Sequence, residues 1–247
     1  MRIKGDKQDI SYKKTKVFFD HRIQRYNEDN PYSVTMYQDK HPELIKSRNE
    51  KEISKLLPKL ELDQNSKVLD VACGIGRWSD AIDCEIKNYC GVDFCDGFIE
   101  LAKQRNKHNA NRFFYTCRST EIENTLRKEN RHDFNRILFV GSLMYLNDID
   151  VFETLTQVER LCAKESIIVI REPIGIDTRL TLEEQYSDEL EDEYNAIYRT
   201  RNELVDLMRE SLLAKGFRII EEDDMFIEKG LNNRKETKQY YYVLKRE

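Results

Sequence analysis

From Lys67 onward the chain alternates short apolar runs with amphipathic stretches, and that alternation limits the possible folds more than any other feature. KVLDVA, NYCGVDF, RFFYTC, RILFVGS and SIIVIREP are rich in β-branched and aromatic residues, while DGFIELAKQRNKH and DVFETLTQVERLCA, set between them, carry apolar residues at helical spacing. Strands that are almost continuously apolar must be covered on both faces, and interleaved helices supply that cover. The pattern therefore predicts an α/β fold built on a parallel sheet. The end of the chain differs, because FRIIEE and QYYYVLKR follow each other with no helical pattern between them. Two strands joined by a short loop imply an antiparallel pair. The expectation is a seven-stranded, mostly parallel sheet with an antiparallel last strand and helices on both faces.

The residues before this alternation read as helical. KKTKVFFDHRIQRYNEDN and ELIKSRNEKEISKLL each carry an apolar stripe, and NPYSVTMYQDKHP between them, bounded by Pro31 and Pro42, reads as a turn or loop. A chain of 247 residues suits one core with an appended segment. Residues 1–60 are expected to form an N-terminal helical lid and residues 61–247 the core, with an insert at about 175–200. The insert's acidic cluster, Asp188, Glu189, Glu191, Asp192 and Glu193, reads as a solvated helical face or as a cap over a pocket. Acidic residues outnumber basic ones, 46 to 41, so no nucleic-acid partner is expected. No apolar run approaches the roughly 20 residues that cross a bilayer, and the polar opening MRIKGDKQDISYKK lacks a signal core. Six cysteines without CxxC pairs or zinc-type spacing read as reduced residues of a cytoplasmic protein, with no metal site. A monomer or homodimer is expected.

VLDVACGIGRW is the stretch that carries chemistry. An apolar strand ends in Asp70 and enters a turn of small residues, Ala72, Gly74 and Gly76, ahead of an expected helix. Such a turn admits a ligand close to its backbone, and the helix start offers unpaired N–H groups. About twenty residues on, NYCGVDF places Asp93 at the end of the next strand, where a carboxylate can accept both hydroxyl hydrogens of a ribose. The dinucleotide fingerprint G-x-G-x-x-G is not met, because Ser79 stands at its third glycine.

On these residues the chain resembles class I S-adenosylmethionine-dependent methyltransferases. Their first motif is matched by Val68, Leu69, Asp70, Val71, Ala72, Cys73, Gly74, Ile75 and Gly76, with Ala72 where many relatives carry glycine. The resemblance runs from about Phe18 to the final strand and implies a Rossmann-like fold with S-adenosylmethionine as cofactor and S-adenosylhomocysteine as product. It implies that Asp70, Ala72, Gly74, Gly76 and Trp78 surround the methionine part, that Asp93 takes the ribose and that Phe94 lies against adenine. Ser119 and Thr120 fall where the family contacts the adenine edge, although the acid common there is missing. FFDHRIQRY resembles a helix that closes over the cofactor, with Tyr26 as its aromatic residue and Arg22 toward the methionine carboxylate. FVGSLMY, with Phe139 and Ser142, matches the wall beside the sulfonium. The N-terminal segments and the insert also resemble methyltransferases of bacterial surface-polysaccharide gene clusters.

Methyl transfer from a sulfonium is an in-line displacement, so the protein chiefly positions and desolvates the acceptor. For a hydroxyl acceptor the candidate bases are Glu172, His21 and Tyr145. Glu172 also reads as half of a salt bridge with Arg171 or a neighbour. Tyr198, Arg199 and Arg201 are candidates for an anionic acceptor or for helix-flanking surface charges. The expected acceptor is a small molecule, with the hydroxyl of a sugar or nucleotide-linked sugar in front and an amine still open. Competing readings are an NAD(P)-dependent reductase and a non-catalytic nucleoside-binding scaffold.

Overall fold

The computed structural model describes residues 1–37, 41–188, 190–232 and 234–247. In chain order the elements are β1 (Arg2–Lys4), α1 (Tyr12–Gln24), α2 (Ser33–Met36), α3 (Pro42–Leu56), β2 (Lys67–Val71), α4 (Arg77–Ala81), β3 (Asn88–Asp93), α5 (Asp96–Arg105), β4 (Arg112–Thr116) and α6 (Ile122–Lys128). There follow β5 (Phe134–Val140), α7 (Asp148–Leu161), β6 (Cys162–Gly175), β7 (Leu180–Ser187), β8 (Asp192–Tyr198), α8 (Arg201–Ser211), β9 (Arg218–Asp224) and β10 (Thr237–Arg246).

Seven strands form the main sheet in the order β4-β3-β2-β5-β6-β10-β9. The first five are parallel, and β10 runs antiparallel to both of its neighbours, as the two closing strands suggested. Apolar side chains leave both faces of the strands. Leu69, Ile137, Phe139 and Ile168 meet α6, α7 and α8 on one side, and Val68, Leu138, Val169 and Tyr241 meet α3, α4 and α5 on the other. Helix α8 begins with a capping box in which Thr200 and Glu203 satisfy each other's backbone amides. Among the described residues no helix is long and apolar enough to cross a membrane.

Two segments depart from the expectation. The insert is a hairpin, not a helical face: β7 and β8 pair antiparallel, and β1 adds to β7 to make a separate three-stranded sheet. Its apolar residues alternate, with Leu180, Leu182, Tyr194, Ala196 and Tyr198 all buried in one cluster, and a period of two belongs to a strand. Of the acidic cluster, Asp188 and Glu191 lie in the hairpin turn, Asp192 and Glu193 on β8, and Glu189 outside the described residues. The N-terminal helices likewise divide. Phe18 and Phe19 of α1 pack with the hairpin and with Phe98 of α5, whereas Leu44, Ile53 and Leu56 of α3 join the central core.

Candidate active site

The turn after β2 is the feature around which the site is built. Ala72, Gly74 and Gly76 all have positive φ, at 60°, 55° and 84°. That sequence of left-handed residues reverses the chain at the carboxyl end of the central strand. Asp93, at the end of β3, braces the reversal: its Oδ2 accepts the Gly74 N–H and its Oδ1 the Cys95 N–H, both at 2.9 Å. Burial pushes the Asp93 carboxyl up to about 6 against the pull of those amides. Asp70 is buried as well and accepts a hydrogen bond from the Tyr89 hydroxyl. Burial pushes it up to about 7.

Beside this turn opens a cleft, part of it exposed to solvent. One wall is Asp70, Ala72, Gly74, Arg77 and Trp78; a second is Gly141, Met144, Tyr145 and Arg171 from the ends of β5 and β6. Arg48 and Glu52 of α3 close one side, and Thr35, Tyr37, Tyr194 and Tyr198 cover the other. The covering tyrosines are joined through their hydroxyls: Tyr145 meets Tyr37 and, at 3.1 Å, Tyr194, which accepts from Tyr198 at 3.4 Å. Burial raises the Tyr145 phenol far above its ordinary range. The opposite wall holds an ion network in which Glu52 accepts from Arg77 at 2.9 Å and from Arg171.

The fold brings Asp70, Ala72, Gly74, Trp78, Tyr145 and Tyr198 together on this cleft. Gly76 caps α4 just behind it. Phe94 packs edge-on against Phe19, 5.5 Å between ring centres, which joins the end of β3 to helix α1. Ser119 and Thr120 form a short 3-10 turn after β4, where the Thr120 carbonyl accepts from Gln157.

Other expected site residues serve the scaffold. Glu172 is 2% exposed, and its carboxylate accepts the N–H groups of Ser142 (2.7 Å), Leu143 (2.9 Å) and Met144 (3.1 Å). It anchors the loop after β5 and neither pairs with Arg171 nor lines the cleft as a base would. His21 is half-exposed and bonded to Asp192 of the hairpin at 2.8 Å. Arg22 lies buried on the inner stripe of α1, donates to the Ser33 carbonyl and stacks on Tyr37, which pins α2 over the turn. Tyr26 accepts from Arg105 on α5. Phe139 is fully buried in the core and Ser142 sits in the Glu172-held loop. Arg199 is buried, donates to Asp148 and to the Leu143 and Leu146 carbonyls, and Arg201 pairs on the surface with Glu222.

Sequence reasoning missed Arg48, Glu52, Arg77 and Arg171. A signal for the first two existed, because Ile45, Arg48, Glu52 and Leu56 share the buried stripe of α3. An acid and a base on an apolar stripe mark a paired, functional position more than a solvated face.

Residues 68–165 match the family model described as a methyltransferase domain. The chain is 24% identical over 144 residues to phosphoethanolamine N-methyltransferase 1 of Caenorhabditis elegans, a match covering 58% of this chain and 29% of that protein. The structure of phosphoethanolamine N-methyltransferase 1 from Haemonchus contortus, in complex with phosphoethanolamine and S-adenosylhomocysteine, superposes with a TM-score of 0.68 at 17% identity, over 96% of this chain and 50% of that one. The 1,6-didemethyltoxoflavin-N1-methyltransferase of Burkholderia thailandensis, with 1,6-didemethyltoxoflavin and S-adenosylhomocysteine bound, gives 0.65 at 13% identity, over 100% and 96% of the two chains. At such identities the likeness establishes the fold. The chain spans less than a third of the Caenorhabditis protein and half of the Haemonchus one.

Proposed function

We propose that this chain, which carries a methyltransferase domain on a class I Rossmann-like fold, transfers the methyl group of S-adenosylmethionine to a small molecule. The observation that carries the reading is the left-handed turn Ala72–Gly76, braced by Asp93 and opening directly into the cleft. Its residues fit the cofactor. Ala72 and Gly74 present backbone on the cleft wall without bulk, and a Cβ at Gly74 would lie 2.7 Å from Thr35 Cγ2, so the turn keeps its backbone open to a ligand. In this assignment Ala72 to Gly74 receive the methionine part, Asp93 offers its remaining lone pairs to the ribose, and Phe94 lies against the adenine.

When bound, the cofactor supplies an electrophilic methyl group on a sulfonium. The chain's own part is to exclude water and orient the acceptor. Tyr37, Tyr194 and Tyr198 cover the cleft with aromatic surface, and their hydroxyl chain offers polar contacts to an acceptor. Tyr145 keeps its proton, so it positions the acceptor by hydrogen bonding and does not serve as base. The finer reading is a hydroxyl acceptor on a sugar or nucleotide-linked sugar, supported by that polar tyrosine lining.

The test is to incubate the full chain with S-adenosylmethionine and fractions of a small-molecule extract and to follow S-adenosylhomocysteine by mass spectrometry. The expected outcome is product that depends on one fraction and is lost in Gly74→Val. Activity unaffected by Gly74→Val would remove the turn from the reaction.

A further inference from the structure

We propose that the methyl acceptor carries an anionic group, a carboxylate or a phosphate, which docks on the cleft wall that Arg77, Trp78 and Arg171 line. The proposal rests on the methyl-transfer reading and adds the charge of the substrate to it.

On this wall one acid, Glu52, sits between two bases, Arg77 and Arg171, and a third base, Arg48, lines the same cleft. Glu52, on the inner stripe of α3, has a side chain only 2% exposed, and it faces the nearly buried guanidiniums of Arg77 and Arg171, 8% and 12% exposed. One carboxylate between two guanidiniums leaves one positive charge over. The other hydrogen-bond partners of these arginines among the described residues are neutral: Arg77 donates to the Asn49 side chain at 2.9 Å and Arg171 to that of Gln239 at 3.0 Å. Hydrogen bonds to amide oxygens orient a guanidinium without cancelling its charge, and uncompensated charge away from water is strongly unfavourable. Asp70 offsets it only in part, because burial pushes that carboxyl up to about 7 and leaves it about half ionised near neutral pH, and Glu172, which also feels the Arg171 charge, spends its oxygens on three backbone amides.

A second observation points the same way. Two N–H donors of cleft-lining side chains, Arg171 Nε and Trp78 Nε1, are buried and have no acceptor among the described residues. Trp78 is 2% exposed, so bulk water does not serve it. Buried donors without acceptors are uncommon in folded proteins and call for a ligand or ordered water. A neutral carbonyl group would satisfy the donors but not the charge. A carboxylate or phosphate oxygen satisfies both, through charge-assisted bonds. Room exists on the Arg171 side because Gly141 lacks a side chain, and a Cβ there would lie 3.2 Å from Arg171 Nη1.

Trp78 is the only tryptophan, so its indole N–H gives a single, assignable NMR signal. The full chain is first titrated with S-adenosylhomocysteine, which tests the parent reading by itself. The saturated protein is then titrated at constant ionic strength with sodium acetate, inorganic phosphate and, as neutral control, acetamide. The expected result is a saturable shift of the indole signal with acetate or phosphate and none with acetamide. Arg171→Lys and Arg77→Lys keep the charge toward Glu52 but lose guanidinium donors, and each should raise the anion's dissociation constant roughly fivefold or more.

Four results would overturn the proposal while leaving cofactor binding intact. These are no saturable shift with either anion, an equal response to acetamide, unchanged affinity in both lysine variants, or an anion shift seen in the free protein and abolished by S-adenosylhomocysteine. The last would assign these donors to the cofactor's own carboxylate. Failure of S-adenosylhomocysteine to bind would instead sink the methyl-transfer reading on which the proposal stands.

Discussion

Asp70 shows how burial converts a motif residue into a pH-dependent one. Its carboxyl, ordinarily at 3.8, is pushed up to about 7. Between about pH 4 and pH 7 the folded chain therefore holds a proton that the unfolded chain has released, so stability falls as pH rises through that window. Asp70→Asn has nothing to titrate there. The stability of wild type relative to this variant should drop by about 3 kcal/mol between pH 5 and pH 8 in urea denaturation; a constant difference would contradict the assignment. Glu172 is the opposite case, an acid whose position at a strand end suggested chemistry and whose surroundings make it an anchor. Glu172→Gln keeps one acceptor oxygen for three amides and should cost about 1–3 kcal/mol of stability, with the pH profile of turnover unchanged. Unaltered stability with a shifted profile would restore it as a base.

At the scale of elements, what could be read in advance followed from periodicity. The five parallel strands and the antiparallel last strand were legible because strands covered on both faces are apolar nearly throughout, as in Ile167 to Ile170. The hairpin was not, because its acidic residues drew attention from the two-residue alternation of Tyr194, Ala196 and Tyr198. Arg22 departs from its expected place because of where it falls on the helix. It stands one turn beyond Phe18, on the stripe that α1 buries, so it reaches the α2 carbonyls and not the cleft. The contact between α2 and the glycine turn is itself testable. A Cβ at Gly74 would lie 2.7 Å from Thr35 Cγ2, on a backbone with φ of +55°. Gly74→Ala should therefore combine a left-handed backbone cost of about 1–2 kcal/mol with a clash that Thr35→Ser relieves. A thermal-denaturation cycle should show the alanine costing less in the serine background, and strict additivity would contradict the close packing.

Over the whole molecule, the site lies where three bodies of packing meet. The parallel sheet delivers the braced turn and the ends of β5 and β6, helix α3 brings Glu52 against Arg77 and Arg171, and the small sheet with α1 and α2 provides the tyrosine cover. The turn was legible in the sequence because Asp70 to Gly76 are local to one motif; the pairing of Glu52 with Arg171 and of Tyr37 with Tyr145 was not, because it joins segments more than a hundred residues apart. The central claim, that this arrangement is a site for S-adenosylmethionine, is tested most directly by calorimetric titration of the full chain with S-adenosylhomocysteine and, separately, NADH. The account predicts one-to-one binding of S-adenosylhomocysteine, weakened roughly tenfold or more in Asp93→Ala, and no heat from NADH. Saturable binding of NADH without binding of S-adenosylhomocysteine would contradict it.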